Sequence, residues 1–207
     1  MSDAKTSYGD IIAKLRSAYD GSAAARDATP KAEWKQIERS AFRQRLRAEG
    51  KTRLLEIGAG TGQDGAFFQE NGLRVVATDL SSEMVARCRA KGLEAHVMDF
   101  LSLAFPAASF DACWAFACLL HVPNADFAAV LAVLRELLAP GALLYVGVYG
   151  GPPSEGVLAD DWHDPPRFFS FRTDDELVRM VTPYFEILDF HLVPTDSVPF
   201  QALTLRR

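Results

Sequence analysis

Apolar and polar positions follow two different periods along this 207-residue chain, and the switching between them predicts its elements. Over residues 7–19, and again from about 31 to 48, apolar residues return at helical spacing. Trp34, Ile37, Ala41 and Leu46 mark the second stripe. The small, polar stretch 21–30 between them reads as mobile coil. From Arg53 onward, short apolar runs at 53–57, 75–78, 93–98, 110–116 and 142–149 read as strands. Helical stretches separate them: one through 66–70, one capped by Ser81 or Ser82 and ending at Gly92, and one over 124–138 closed by Pro140-Gly141. The last strand is apolar throughout, as a strand buried on both faces must be. Strands alternating with helices predict a parallel sheet covered on both faces, a three-layer α/β sandwich.

After Tyr149 the pattern changes. Residues 150–172 form a long irregular segment with four prolines, and a loop of that length in a compact domain reads as a lid. Thr173-Asp-Asp-Glu176 is a capping box opening a helix to about Val181, and 185–193 and 200–205 read as two final strands. The whole is one domain: a helical cap over 1–50, a core over 51–149, a lid over 150–172 and a C-terminal helix with strands over 173–207.

Composition narrows the class. Apolar residues make up 49% and charged residues 24%, an ordinary globular balance, and the net charge of −5 disfavours a protein devoted to nucleic acid. The charge is uneven: residues 1–53 carry 12 basic against 7 acidic side chains, which can steer an anion or simply be solvated helix faces. The odd cysteine count, without CxxC spacing, points to a reducing compartment. The opening Met-Ser-Asp-Ala-Lys has no apolar run behind it, so a secretory leader is not expected, and the longest apolar run, 112–120, is about half a membrane span. These features predict a cytoplasmic protein, monomeric or homodimeric, without a membrane partner.

The strongest chemical signal is Leu54-Leu-Glu-Ile-Gly58-Ala-Gly60-Thr-Gly62, a buried strand running into alternate glycines before a helix. Such a turn lets a ligand approach the backbone closely. A dinucleotide fingerprint needs glycine where Gln63 stands, so a pyrophosphate-bearing cofactor is disfavoured. Asp79 ends the second strand about 20 residues on, where an acid accepts ribose hydroxyls. Asp99 ends the third strand and suits the amino group of adenine. Two such acids on one crevice imply adenosine without phosphates.

With Leu54–Gly62, Val75–Asp79, Val97–Phe100, Ser109–Trp114 and Leu134–Val148 in this order, the chain resembles the class I methyltransferases that use S-adenosyl-L-methionine. The resemblance covers about residues 50–195. It implies a seven-stranded, mostly parallel sheet with an antiparallel last strand, and 51–149 as the cofactor-binding core. It also implies roles. Glu56 would orient the glycine turn; Gly58, Ala59, Gly60 and Gly62 would pass the methionine portion. Asp79, with Leu80 beside it, would hold the ribose. Asp99 and Phe100 would flank the adenine, and Ala115-Phe116 would line the donor sulfur side. For the methionine carboxylate, Arg39 is preferred over Lys35 and Arg43, with Tyr19 as a hydroxyl donor.

Methyl transfer needs alignment, exclusion of water and, for a protic acceptor, a base. Trp162, Phe168, Phe169 and Phe171 are expected as aromatic walls, or as residues that pack the loop. His121, after the fourth strand, and His163, in Asp160-Asp-Trp-His163-Asp, are the candidate bases; no metal is expected there, and His96 and His191 receive no role. The chain lacks an Asn-Pro-Pro-Tyr motif and has Ala115-Phe116-Ala117-Cys118 instead, so a small-molecule acceptor is favoured and nucleic acid disfavoured. An RNA or protein methyltransferase, and a non-catalytic adenosyl-ligand binding module, remain the alternatives.

Overall fold

The computed structural model describes residues 7–158, 160–196 and 198–207; the N-terminal stretch read for a leader lies outside them. Among the described residues, seven strands form one sheet in the order β3-β2-β1-β4-β5-β9-β8. They are β1 (Arg53–Ile57), β2 (Arg74–Asp79), β3 (Glu94–Val97), β4 (Phe110–Phe116), β5 (Leu138–Tyr149), β8 (Glu186–Val193) and β9 (Phe200–Arg206). Neighbours from β3 to β5 pair parallel, while the final strand β9 runs antiparallel between β5 and β8. The chain order reverses beside β1, so β1 and β4 splay their outgoing loops apart and open a crevice at their carboxyl ends.

Alternation along the central strands sends neighbours to opposite faces. Leu54, Ala112, Trp114 and Tyr145 pack with Phe42 and Leu46 of α2 (Glu33–Ala48), Phe68 of α3 (Gln63–Glu70), and Val85 and Cys88 of α4 (Ser82–Ala90). Leu55, Ile57, Cys113 and Leu144 pack on the other face with Phe127, Val130 and Leu134 of α5 (Asn124–Leu137) and Leu177 of α6 (Asp174–Val181). The three layers are those expected from the sequence. Each fully buried large apolar side chain contributes roughly 1.5–3 kcal/mol relative to exposure. The Thr173 capping box is present in full, its hydroxyl accepting from Glu176 N–H while the Glu176 carboxylate accepts from Thr173 N–H.

Two expectations are corrected. Residues 21–28 are not coil: α1 runs unbroken from Tyr8 to Ala28. Ser22-Ala-Ala-Ala propagates the helix through the lone Gly21, Ser22 and Ala23 are buried, and Pro30 ends it. The helix is fastened on both sides. Ile11 and Leu15 bury against Phe168, and Asp20 Oδ1 accepts from Ser81 Oγ at 2.5 Å and Glu83 N at 3.2 Å. Residues 150–172 are likewise not wholly irregular. They contain an antiparallel ribbon of β6 (Ser154–Val157) and β7 (Phe168–Phe171), with a strap of chain between. Alternation in β7 buries Phe168 and Ser170, a period too short to stand out among the flanking prolines.

Candidate active site

The glycine turn leaves β1 at Ile57. Gly58 has φ +59°, and a Cβ there would lie 2.4 Å from Cys118 Cβ, so only glycine lets β1 and the segment after β4 come together. Gly62 is left-handed at φ +78° and N-caps α3; a Cβ there would meet Leu93 Cδ1 at 2.8 Å and Cys88 Sγ at 2.9 Å. Its role is therefore to seat α3 against α4, and it does not line the cavity described next, whereas Gly58, Ala59 and Gly60 do. Gly60 N–H donates to Asp79 Oδ2 at 2.8 Å, and Ser81 N–H donates to Oδ1 at 2.9 Å. The acid is thus fixed by backbone on both oxygens, with lone pairs left over.

These elements border a cavity of about 480 Å³ at the carboxyl edge of the sheet. Pockets that enclose cofactor-sized ligands span ~300–1,000 Å³. Leu80, Met98, Asp99 and Phe100 form one end of it, and Asp99 Oδ1 is held by Leu101 N–H at 2.9 Å. Phe116, Ala117 and Cys118 border the middle. Ala115 does not: it faces the α5 side of the sheet, fully buried in the core, because β4 alternates and Phe116 takes the cavity face. Burial pushes the Asp79 carboxyl up to about 6, against the pull of the Ser81 and Gly60 amides. Burial, reinforced by Asp64, raises Glu56 well above the ordinary carboxylate range, and its Oε2 has no partner among the described residues. Glu56 sits under the turn, so close to Gly65 that a Cβ there would lie 2.4 Å from Oε2.

The opposite wall comes from α1, α2 and the link between them. Arg39 is not on it. Its guanidinium donates to Asp64 Oδ1 at 3.0 Å and to the Gln63 carbonyl, and it lies flat over Phe67 at 3.9 Å. Asp64 is also bound by Lys31 at 2.7 Å and by Trp114 Nε1 at 3.1 Å. The cations that line the cavity with no ion pair among the described residues are Lys35 and Arg26. Arg26 was missed because its segment read as coil; the Ala-rich run around it was the available signal.

Tyr19 and His121 both line the cavity and bind each other, oxygen to Nε2, at 2.5 Å. His121 Nδ1 lies 2.7 Å from the Phe168 carbonyl, which can only accept, so Nδ1 carries the proton and Nε2 accepts from the Tyr19 hydroxyl. Arg167 donates to the Tyr19 oxygen at 3.2 Å. Burial holds His121 down at about 3. His163 is buried beside Tyr19, ring to ring at 5.7 Å, and beside Trp162. Its Nδ1 lies 3.3 Å from Asp161 Oδ1, and its Nε2 has no partner among the described residues. His163 itself does not line the cavity, although both of those ring neighbours do. Asp161 is gripped by Arg167 through both carboxylate oxygens, a pair that sequence reading did not single out.

Of the four expected aromatic walls, only Trp162 lines the cavity. Phe168 packs on α1, and Phe169 and Phe171 stack on each other at 5.6 Å. His96 pairs with Glu94, and His191 lies within β8, bonded to Asp189 and Glu38. Among the described residues no group of acids, histidines and cysteines is arranged to hold a metal, and no helix is long and apolar enough to cross a membrane.

Residues 54–141 match the methyltransferase-domain family. The 27-O-demethylrifamycin SV methyltransferase of Amycolatopsis mediterranei is 31% identical over 118 residues, covering 53% of this chain and 43% of that protein. The chain spans about half the length of the curated relatives it matches, from 43% to 49% among those aligned over at least 110 residues. Among solved structures, the 1,6-didemethyltoxoflavin-N1-methyltransferase of Burkholderia thailandensis, with 1,6-didemethyltoxoflavin and S-adenosylhomocysteine bound, superposes with a TM-score of 0.78 at 23% identity, covering 100% of this chain and 93% of that one. The DhpI-SAM-HEP complex superposes at 0.74 with 26% identity, covering 98% and 100%. Residues 54–141 thus match a methyltransferase domain around the glycine turn, and the whole chain shares the Rossmann-like fold of solved S-adenosylmethionine-dependent methyltransferases.

Proposed function

We propose that this protein binds S-adenosyl-L-methionine in the cavity above β1 and β4 and transfers its methyl group to an oxygen, nitrogen or sulfur of a small-molecule acceptor, leaving S-adenosyl-L-homocysteine. The observation that carries this reading is Asp79, a buried carboxylate fixed by two backbone amides and facing a cavity whose far end offers Asp99. The donor set fits the cofactor. Asp79 has lone pairs for ribose hydroxyls, with Leu80 against the sugar. Asp99 suits the adenine amino group, and Phe100 and Met98 its faces. The open side of Gly60, where a Cβ would meet nothing within 4 Å, leaves room beside the turn. Glu56, with an unpartnered buried oxygen, suits the amino group of the methionine portion. Arg26, in the place expected for Arg39, suits its carboxylate.

When bound, the cofactor supplies an already activated methyl group, so this chain's residues mainly align and desolvate. Tyr19 and Trp162 close the cavity from the cap and strap. His121 acts as a positioning residue: its two nitrogens are committed to Phe168 and Tyr19, and it fixes the Tyr19 hydroxyl. His163, oriented by Asp161, stands behind Tyr19 and Trp162 and outside the cavity lining, so we assign it to position those two rings, and a proton lost by a protic acceptor leaves to solvent. The names of the relatives, which denote small-molecule substrates, support the acceptor class.

Calorimetric titration with S-adenosylmethionine and S-adenosylhomocysteine tests the reading. Wild type is expected to bind both. Asp79→Ala, losing hydrogen bonds to a charged group worth about 1.5–3 kcal/mol each, is expected to bind at least ~10-fold more weakly. Equal affinity in the two proteins would remove Asp79 from the site and the reading with it.

A further inference from the structure

Three cations, Arg26, Lys31 and Lys35, line the cavity beside the acids Glu56, Asp64, Asp79 and Asp99, and the ion pairs do not use all three. Lys31 is matched by Asp64, and Asp64 is already shared with Arg39 and Trp114. Arg26 and Lys35 remain; neither is in a close ion pair among the described residues, and Asp79 and Asp64 respectively act on them only at longer range. The methionine portion brings one carboxylate, which leaves one cation over. Lys35 is the one placed away from the ribose acid. Its Nζ sits above the ring of Trp34 at 5.2 Å and that of Phe116 at 5.9 Å, where β4 ends. Lys31 Nζ lies 5.4 Å from the same Phe116 ring. The amine is half-buried, and burial together with the neighbouring Lys31 and Arg26 works against its charge. A partly desolvated cation between other cations is an unfilled demand for an anion. Around it the apolar surface is that of Phe116 and Trp34, whose rings lie 5.9 Å apart.

We infer that the methyl acceptor is a carboxylate with an apolar body, its carboxylate seated on Lys35 and its body against the Phe116 and Trp34 rings. The inference rests on the cofactor reading above, since it assigns the cation that the cofactor leaves free. The carboxylate is a handle: it fixes the acceptor's orientation and says nothing about which atom is methylated.

The test uses the full chain saturated with S-adenosylhomocysteine and titrated calorimetrically with benzoate, indole-3-acetate and hexanoate, each beside its neutral amide. At least one carboxylate is expected to bind about tenfold or more tightly than its amide. That preference should shrink with added salt. Lys35→Gln is expected to abolish it and Lys35→Arg to retain it, with thermal melting to show that both variants are folded. Equal binding of acids and amides, or no binding of any acid to the loaded protein, overturns the inference and leaves the cofactor reading intact. Failure of S-adenosylhomocysteine itself to bind overturns both.

Discussion

Asp79 is an acid held firmly in an uncomfortable place. Two amides fix its oxygens while burial lifts its carboxyl from 3.8 to about 6. Ribose hydroxyls donate to the ionised form, so cofactor affinity is expected to be flat above pH 7 and to fall below about 6, approaching tenfold per pH unit. Calorimetry across pH 5–8 reads this directly, and Asp79→Asn should bind weakly with no such slope. For folding the sign differs: between 3.8 and about 6 the folded chain holds a proton that the unfolded chain has released, so this residue's contribution to stability declines as pH rises through that window. At this scale the sequence was legible wherever chemistry and strand position coincide. Asp79, Asp99, Glu56, Gly58 and Gly60 fall at or just past strand ends and border the cavity, whereas Gly62 does not. It was illegible where a partner decided the matter. Arg39 has the right charge and place along the chain, but Asp64 claims it. His121 has the right type, yet its two nitrogens are taken.

Glycines separate the elements by the reason each is needed. Gly62 is left-handed and crowded by Leu93 and Cys88, so Gly62→Ala is expected to cost about 1–3 kcal/mol of stability. Gly21 lies inside α1 with nothing within 4 Å of a Cβ, so Gly21→Ala is expected to stabilise by about 0.5–1 kcal/mol. Urea denaturation of both variants checks the pair, and a neutral Gly21→Ala would argue against a continuous α1. The strands, α5 and the capping box of α6 were readable because hydrophobic period and caps agree there. Two elements were not. In α1 the Ala-Arg-Asp run has helical propensity but little amphipathic pattern, since its polar end turns toward the cavity. In the β6–β7 ribbon the strands are four residues each, too short for alternation to rise above the prolines around them.

Over the whole molecule, the cavity is made by two parts that approach from opposite directions: the fixed carboxyl edge of the sheet and a cover of α1 with the strap. Arg167 joins the cover, gripping Asp161 at 2.8 and 2.9 Å and reaching Tyr19. Removing one member of a buried pair destabilises its surroundings by about 3–5 kcal/mol. Arg167→Gln is therefore expected to speed amide hydrogen exchange in residues 160–172 while the central strands keep their protection; uniform loss of protection would mean that the pair supports the sheet and not the cover. Such tertiary joins lie outside any local pattern, which is why the sequence showed a lid but not what latches it. The bond from Asp20 to the first turn of α4 carries a further consequence. It ties the cover to the same Ser81 whose amide steadies Asp79, so α1 cannot swing away without disturbing that carboxylate. Under the proposed cofactor reading, entry and departure of a nucleoside would then share one concerted opening of the cover.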